Sequence, residues 1–233
     1  MSNPTEEALV SARDLTKVYR SGKVETPALR GVTLDIGAGE FTAIVGPSGS
    51  GKTTLLNLIG ALDSLTGGGL RVLGRDLQHL GKRDRADMRL HELGFVFQAY
   101  NLVPVLTAQE NVEFVLELQG EGDERRVRAR EMLDQLGLSE LAGRRPGELS
   151  GGQQQRVAVA RAVVSRPRLV LADEPTANLD GDNAEVLLKL MRDLNDQRGI
   201  TFLFSTHDPR VVSHARRVVT LVDGRVDSDE MRG

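Results

Sequence analysis

Eight consecutive residues, Gly46-Pro47-Ser48-Gly49-Ser50-Gly51-Lys52-Thr53, match G-x-x-x-x-G-K-[ST] in full. Glycines at these spacings let successive backbone N–H groups turn toward one centre, and a helix N-terminus beyond them adds positive potential there. A lysine in that setting reaches the β- and γ-phosphates of a nucleotide, and the Thr53 hydroxyl can coordinate Mg²⁺. Gly46, Ser48, Gly49, Ser50, Gly51, Lys52, Thr53 and Thr54 are therefore the candidate phosphate contacts. A second cluster, Leu169-Val170-Leu171-Ala172-Asp173-Glu174, is an apolar run that ends in two carboxylates. Asp173 at such a strand end can hold Mg²⁺ through water, and Glu174 beside it can act as general base toward an attacking water. Between the two lies Leu149-Ser150-Gly151-Gly152-Gln153. A serine followed by glycines and then Gln153-Gln154-Gln155-Arg156 reads as a helix N-cap whose bare amides can meet an anion.

These groups need elements to hold them. Phe41-Thr42-Ala43-Ile44-Val45 is a buried strand feeding the glycine loop, and Leu55, Leu58, Ile59 and Leu62 give one face of a helix after it. That is the strand–loop–helix context the phosphate motif requires. Residues 8–36 alternate apolar and polar, with Leu9, Leu15, Val18, Leu29, Val32, Leu34 and Ile36, and predict antiparallel strands joined at Ser21-Gly22. Ala129, Met132, Leu133 and Leu136 fall at i, i+3, i+4, i+7, with Gly137 placed to stop that helix. Together with a helix after Ser150, they predict a helical sub-domain over about 97–166. Parallel-type strands are expected at Leu169–Ala172 and Thr201–Ser205, with an amphipathic helix between them on Leu187, Leu190, Met191 and Leu194. Val218–Val222 with Asp223-Gly224 predicts a closing hairpin. The expected fold is α/β: a mostly parallel sheet covered by helices, an antiparallel portion at the start, and an inserted helical part. Arg156 and Arg161 are expected to be structural charges on a helix surface.

Composition bounds the rest. The chain has 233 residues with 39% hydrophobic and 27% charged content, enough for one substantial core, and no internal repeat is visible. Its net charge of −3 offers no overall basic field for nucleic acid. The absence of cysteine excludes disulfides and thiolate metal sites and fits a reducing cytosol. No apolar run approaches the ~20 residues of a membrane span. The start, Met1–Val10, has neither the basic beginning nor the apolar middle of a secretion signal. Any membrane association is therefore expected to come through a partner.

The three clusters in this order resemble the ATP-binding-cassette ATPases, and the likeness runs from about Asp14 to Arg225. Further segments carry it: Phe95-Val96-Phe97-Gln98, Thr107-Ala108-Gln109-Glu110-Asn111-Val112, Ala177-Asn178-Leu179-Asp180, and Phe202–Thr206 running into His207. The resemblance implies ATP and Mg²⁺ as cofactors, with Thr53, Gln98 and Asp173 at the metal. It implies Glu174 and His207 as catalytic residues, His207 hydrogen-bonding the γ-phosphate. It further implies Tyr19 stacking on adenine, and Ser150, Gly151, Gly152 and Gln153 meeting ATP held by a second copy of the chain, with Asp180 linking the two sites. A P-loop NTPase-type fold and an integral membrane permease as partner follow, at the cytoplasmic face of the bacterial inner membrane. No nucleic acid is expected.

Within the family, Gly94–Gln98, Arg145-Pro146-Gly147-Glu148 and Leu149–Arg156 look most like the lipoprotein-release, macrolide-efflux and cell-division branches. A cell-division ATPase gating a cell-wall enzyme and an importer subunit remain as alternatives. A soluble ATPase of the DNA-repair or translation type lacks support, since the coiled-coil insertion of one and the second cassette of the other are missing. Gly67-Gly68-Gly69 departs from the polar or acidic residue usual before its strand. No departure disables hydrolysis.

Overall fold

A strand that is apolar on both faces must be covered on both faces. Phe41–Val45, Leu169–Asp173 and Thr201–Ser205 are such strands, with almost every side chain buried. The computed structural model describes residues 8–22 and 24–232. The N-terminal residues 1–7 read above for a secretion signal, and Lys23 beside the Ser21-Gly22 turn, lie outside that range.

In chain order the elements are β1 (Val10–Ser21), β2 (Val24–Ile36), β3 (Phe41–Val45), α1 (Lys52–Ile59), β4 (Gly67–Val72), β5 (Arg75–Asp76), α2 (Lys82–His91) and β6 (Leu93–Phe97). There follow α3 (Ala108–Leu118), α4 (Glu124–Gln135), α5 (Gly151–Val163), β7 (Leu169–Asp173), α6 (Gly181–Arg198), β8 (Thr201–Ser205), α7 (Pro209–His214), β9 (Arg217–Val222) and β10 (Arg225–Met231). Two sheets result. One is antiparallel in the order β2-β1-β4-β5; the other runs β10-β9-β3-β8-β7-β6 and is parallel except for its β9–β10 hairpin. The fold is the expected α/β class. The run Gly67–Gly69 forms the start of β4, paired with β1.

The six-stranded sheet separates two apolar cores. Phe41, Phe202 and Phe204 interlock on one side, with ring centroids 4.6 Å apart for Phe41–Phe204, under the buried stripes of α3, α4, α5 and α6. Leu55, Leu58 and Ile59 of α1 pack on the other side with β1, β2 and β4. The parallel strands therefore end at one edge held rigidly from both faces, and β3 and β7 deliver the glycine loop and the carboxylates there.

One expectation needs correction. Leu62 is not on the α1 face: the helix stops at Ile59 and Leu62 is 48% exposed. Gly60 ends it because it packs where a Cβ would sit 2.7 Å from the Phe95 ring, and Ala61 then turns left-handed at φ +52°. Arg156 and Arg161 have the structural role expected of them, and both are half-buried. Arg161 donates to the carbonyls of Tyr100 and Asn101, Arg156 to that of Leu136, and burial pushes the Arg161 guanidinium below its ordinary pKa.

Candidate nucleotide site

The loop between β3 and α1 is shaped by contacts that no side chain could share. Gly46 has φ +146°, and a Cβ there would lie 2.0 Å from the Leu221 carbonyl oxygen. Gly51 has φ +102°, with a Cβ position 2.6 Å from the Ala28 carbonyl oxygen. Ala28 is the extra residue of a bulge, since Lys17 pairs with Leu29 and Val18 with Pro27. The loop is also tied to the β9–β10 turn, where the Gly224 N–H donates to Ser50 O at 3.0 Å and the Arg30 N–H to Gly224 O at 2.8 Å. The cradle is thus built by two remote segments, 28–30 and 221–224, meeting one loop.

Inside it, the buried Lys52 ammonium donates to the carbonyls of Gly46 (2.8 Å) and Pro47 (3.0 Å). An ammonium has three donors, so one is left to face the cavity. The Thr53 hydroxyl donates to Asp173 Oδ1 at 3.1 Å, joining the end of β7 to the start of α1. Glu174 has φ +48°, which swings its side chain off the line of β7, and its N–H donates to Ser205 O at 2.8 Å. A non-glycine residue in that region is uncommon and costs about 1–3 kcal/mol where the surroundings enforce it. Its carboxylate receives the Thr206 hydroxyl at 3.3 Å and sits 2.7 Å from His207 Nδ1. The His207 ring is otherwise open to solvent, with 75% of its side chain exposed.

These residues line a single cavity of about 490 Å³ bounded by Gly46, Ser48, Gly49, Gly51, Lys52, Thr53, Thr54, Gln98, Glu174 and His207. Pro47 and Ala177, which lie inside quoted motifs, line it as well, and so does Ala28, which carried no signal in the sequence. Ser50 is buried beneath the loop, and Asp173 reaches the cavity through Thr53. The chemistry is that of a polyphosphate site. Among the described residues no three His, Cys, Asp or Glu gather as a metal cage. A Mg²⁺ ion needs none, because it binds through one or two carboxylates plus substrate phosphates, and the Thr53–Asp173 pair fits that pattern.

Of the remaining candidates, Ser150, Gly151, Gly152, Gln153, Asp180 and Tyr19 stand apart from the cavity. Ser150 caps α5: its hydroxyl accepts the Gln153 N–H at 3.3 Å while the Gln153 side chain accepts the Ser150 N–H at 2.9 Å. Gly151 lies against the Tyr100 hydroxyl and Gly152 against Asn183, where a Cβ would meet Oδ1 at 2.7 Å. Asp180 caps α6 and binds the Asn183 amide, and those bonds hold its carboxyl below the usual range. Tyr19 lies on β1 opposite Thr26, two positions short of Ala28, with its hydroxyl on Asp63. The Gln98 side chain lines the cavity, and its carbonyl accepts the Asn178 amide at 2.9 Å.

Asp208, next to His207, belongs to the scaffold. Burial alone would raise its pKa, but hydrogen bonds from Arg210 and Thr176 outweigh this and hold the carboxyl at about 2.

Comparison with known proteins agrees with this geometry. The family description "ABC transporter" matches residues 29–177. The chain is 49% identical over 231 residues to the lipoprotein-releasing system ATP-binding protein LolD of Anaeromyxobacter dehalogenans, covering 98% of this chain and 97% of that one. It is 44% identical to the macrolide export ATP-binding/permease protein MacB of Syntrophobacter fumaroxidans, over 95% of this chain but 31% of that longer protein. Among solved structures, the dimeric post-hydrolysis state of the ATP-binding cassette MJ0796 bound to ADP and Pi superposes with a TM-score of 0.89 at 43% identity, over 96% of this chain and 99% of that one.

Proposed function

Because this chain belongs to the ABC transporter family and is an ATP-binding, ATP-hydrolysing subunit of it, we propose that two copies close around two ATP·Mg and drive a permease of the lipoprotein-release or macrolide-efflux type. One observation carries the dimer: the cavity holds the phosphate loop, Glu174 and His207, while the capped N-terminus of α5 at Ser150–Gly152 lies outside it. A single chain leaves its signature amides without an anion. The dimeric cassette with 43% identity supports the same arrangement. We read the chain as one domain whose residues 97–166 form the helical arm carrying that signature.

The geometry supports the following roles. Lys52 and the loop amides hold phosphate oxygens, and Thr53, Asp173 and Gln98 are the side chains that would hold Mg²⁺. When bound, the ion neutralises charge on the transferring phosphoryl group. Glu174 accepts a proton from the attacking water. With Nδ1 donating to that carboxylate, His207 orients it and turns Nε2 toward the γ-phosphate. Tyr19 offers a ring to the adenine, Gln153 steadies the cap on Ser150, and Asp180 would link the two sites across the dimer.

The permease type rests on likeness to LolD and MacB, whose names state lipoprotein release and macrolide export. Among the described residues no helix is long and apolar enough to cross a membrane. We place the subunit peripherally, at the cytoplasmic face of the bacterial inner membrane, against partner chains that do cross it. Tagged Glu174→Gln with ATP, used to pull down from detergent-solubilised native membranes, tests this. A permease with few membrane helices and a large extracytoplasmic domain is the expected partner. Recovery of a many-helix channel with a binding protein would make this an importer subunit, and a cell-wall enzyme regulator would favour the division reading. Soluble partners alone would overturn the membrane role.

A further inference from the structure

Tyr19 is not simply a half-exposed strand aromatic. The residue is 42% exposed, yet its hydroxyl is fixed on Asp63 Oδ2 at 3.0 Å and the Lys17 ammonium stands 4.8 Å from the ring centroid. Lys17 and Tyr19 are two apart on β1 and so share a face of the sheet. Lysine is rarely buried without a purpose, and here the ammonium donates to Asp63 Oδ1 and to the Ser64 carbonyl, both at 2.7 Å. Asp63 in turn lies in the turn just beyond α1, with its own N–H and that of Leu62 both donating to the Asn57 carbonyl. The carboxylate therefore takes hydrogen bonds from Lys17, Tyr19 and the Ser64 N–H at the far end of the helix that begins with Lys52 and Thr53.

We propose that Lys17 and Asp63 are positioning residues that lock Tyr19 as a one-faced platform for the nucleobase, set at a fixed distance from the phosphate cradle by α1. The proposal rests on reading Tyr19 as the adenine contact. The ammonium occupies one face of the ring and leaves the other for a flat heteroaromatic. With the hydroxyl tethered, the ring cannot turn edge-on, so its ordering is complete before a base arrives and does not subtract from binding. The Asp63 carboxyl is held low: burial acts to raise it, and the bonds from Lys17, the Ser64 N–H and Tyr19 overcome that. The anion that tethers the ring thus persists at working pH.

Base–aromatic stacking corresponds to roughly 5- to 150-fold in Kd. The test compares Mg²⁺·ATP with Mg²⁺·tripolyphosphate, which has the phosphates and no base, on the full chain. Lys17→Met and Asp63→Asn are expected to weaken ATP by about 5- to 30-fold while tripolyphosphate stays within about twofold. Steady-state KM for ATP should rise more than kcat falls. Tyr19→Phe, which keeps the ring and removes only the tether at a solvent-facing atom, should give a smaller loss in the same direction. Equal weakening of both ligands would mean that the pair only braces α1, and would overturn the proposal. So would unchanged ATP affinity in all three variants while Tyr19→Ala loses it. If Tyr19→Ala itself leaves the ratio of the two affinities unchanged, the adenine reading fails and this inference falls with it.

Discussion

Replacing Glu174 by Gln separates chemistry from structure because the structure sets the two costs far apart. The amide is isosteric and keeps the left-handed backbone at φ +48° that the native residue already tolerates. Its carbonyl oxygen can stay on His207 Nδ1, now at 2.7 Å, and its NH₂ can donate to the Thr206 hydroxyl, now at 3.3 Å. That hydroxyl already accepts the Asp208 N–H at 2.9 Å and has a second lone pair. The folding cost is thus the difference between charged and neutral hydrogen bonds at a pair whose histidine is open to solvent, about 1 kcal/mol. The lost step is proton acceptance from the attacking water, worth about 10²- to 10⁴-fold in rate, or ~2.7–5.4 kcal/mol on the barrier. Phosphate release should fall by that factor. Equilibrium titration with ATP should stay within a few-fold, and light scattering with ATP should show a dimer of the 25.4 kDa chain accumulating. Turnover within about fivefold of the parent would refute the assignment of Glu174 as base, whatever happens to the oligomeric state.

Three further outcomes follow from the same contacts. Lys52→Ala removes two charge-assisted bonds to the loop and the donor left for phosphate, so ATP affinity should fall about 10- to 100-fold by titration. An unchanged Kd would mean that the ammonium serves only the loop. Gly51→Ala puts a Cβ 2.6 Å from the Ala28 carbonyl oxygen at φ +102°, and should cost about 1–3 kcal/mol, near 2–4 °C of Tm per kcal/mol. Unaltered melting would show that the bulge at Ala28 yields freely. Asp208 has its pKa depressed to about 2 from an ordinary 3.8, so its contribution is complete above pH ~4 and is lost as the pH falls from there through 2. At most about 2 kcal/mol is involved. Urea unfolding of the parent should lose that much more stability across this window than Asp208→Asn, and parallel curves would refute the linkage.

The site was legible in the sequence where its chemistry lies within a few residues. Gly46–Thr53 and Asp173-Glu174 are local because a strand end and the turn after it are local, and Ser150 with Gln153 is a capping pair three residues apart. What failed to show depends on chain approaches that no window contains. Ala28 lines the cavity only because β2 bulges against β1 at that point. Leu62 looked like the next rung of α1, but the chain leaves the helix at Gly60 to clear Phe95, 35 residues further on. The Lys17–Asp63 pair spans 46 residues, and each partner alone reads as a solvated charge. Arg161 looked like a surface charge for the same reason, until the loop after β6 folded back to offer it two carbonyls. The fold class was readable because alternation in residues 8–36 and continuous apolar runs at the central strands are different burial patterns, one half-wet and one dry.

The catalytic end of the sheet is also mechanically tied to the helix that carries the signature. Gln155, one turn into α5 and fully buried, donates to the Pro175 carbonyl at 2.8 Å, immediately after Glu174. Arg161, further along the same helix, holds Tyr100 and Asn101, the residues just beyond Gln98. Gly152 at the helix start rests on Asn183, whose amide is gripped by Asp180. A shift of α5 relative to the sheet must therefore drag or break contacts at the base, at the glutamine loop and at Asp180 together. Interiors packed this closely do not deform gradually; they hold one arrangement or exchange it for another. In the proposed closed dimer, an anion met by the Ser150–Gly152 amides would pull on this helix at its N-terminus. That pull would reach the residue after Glu174 through the buried Gln155–Pro175 hydrogen bond, and would make hydrolysis in the proposed dimer responsive to what the neighbouring chain holds.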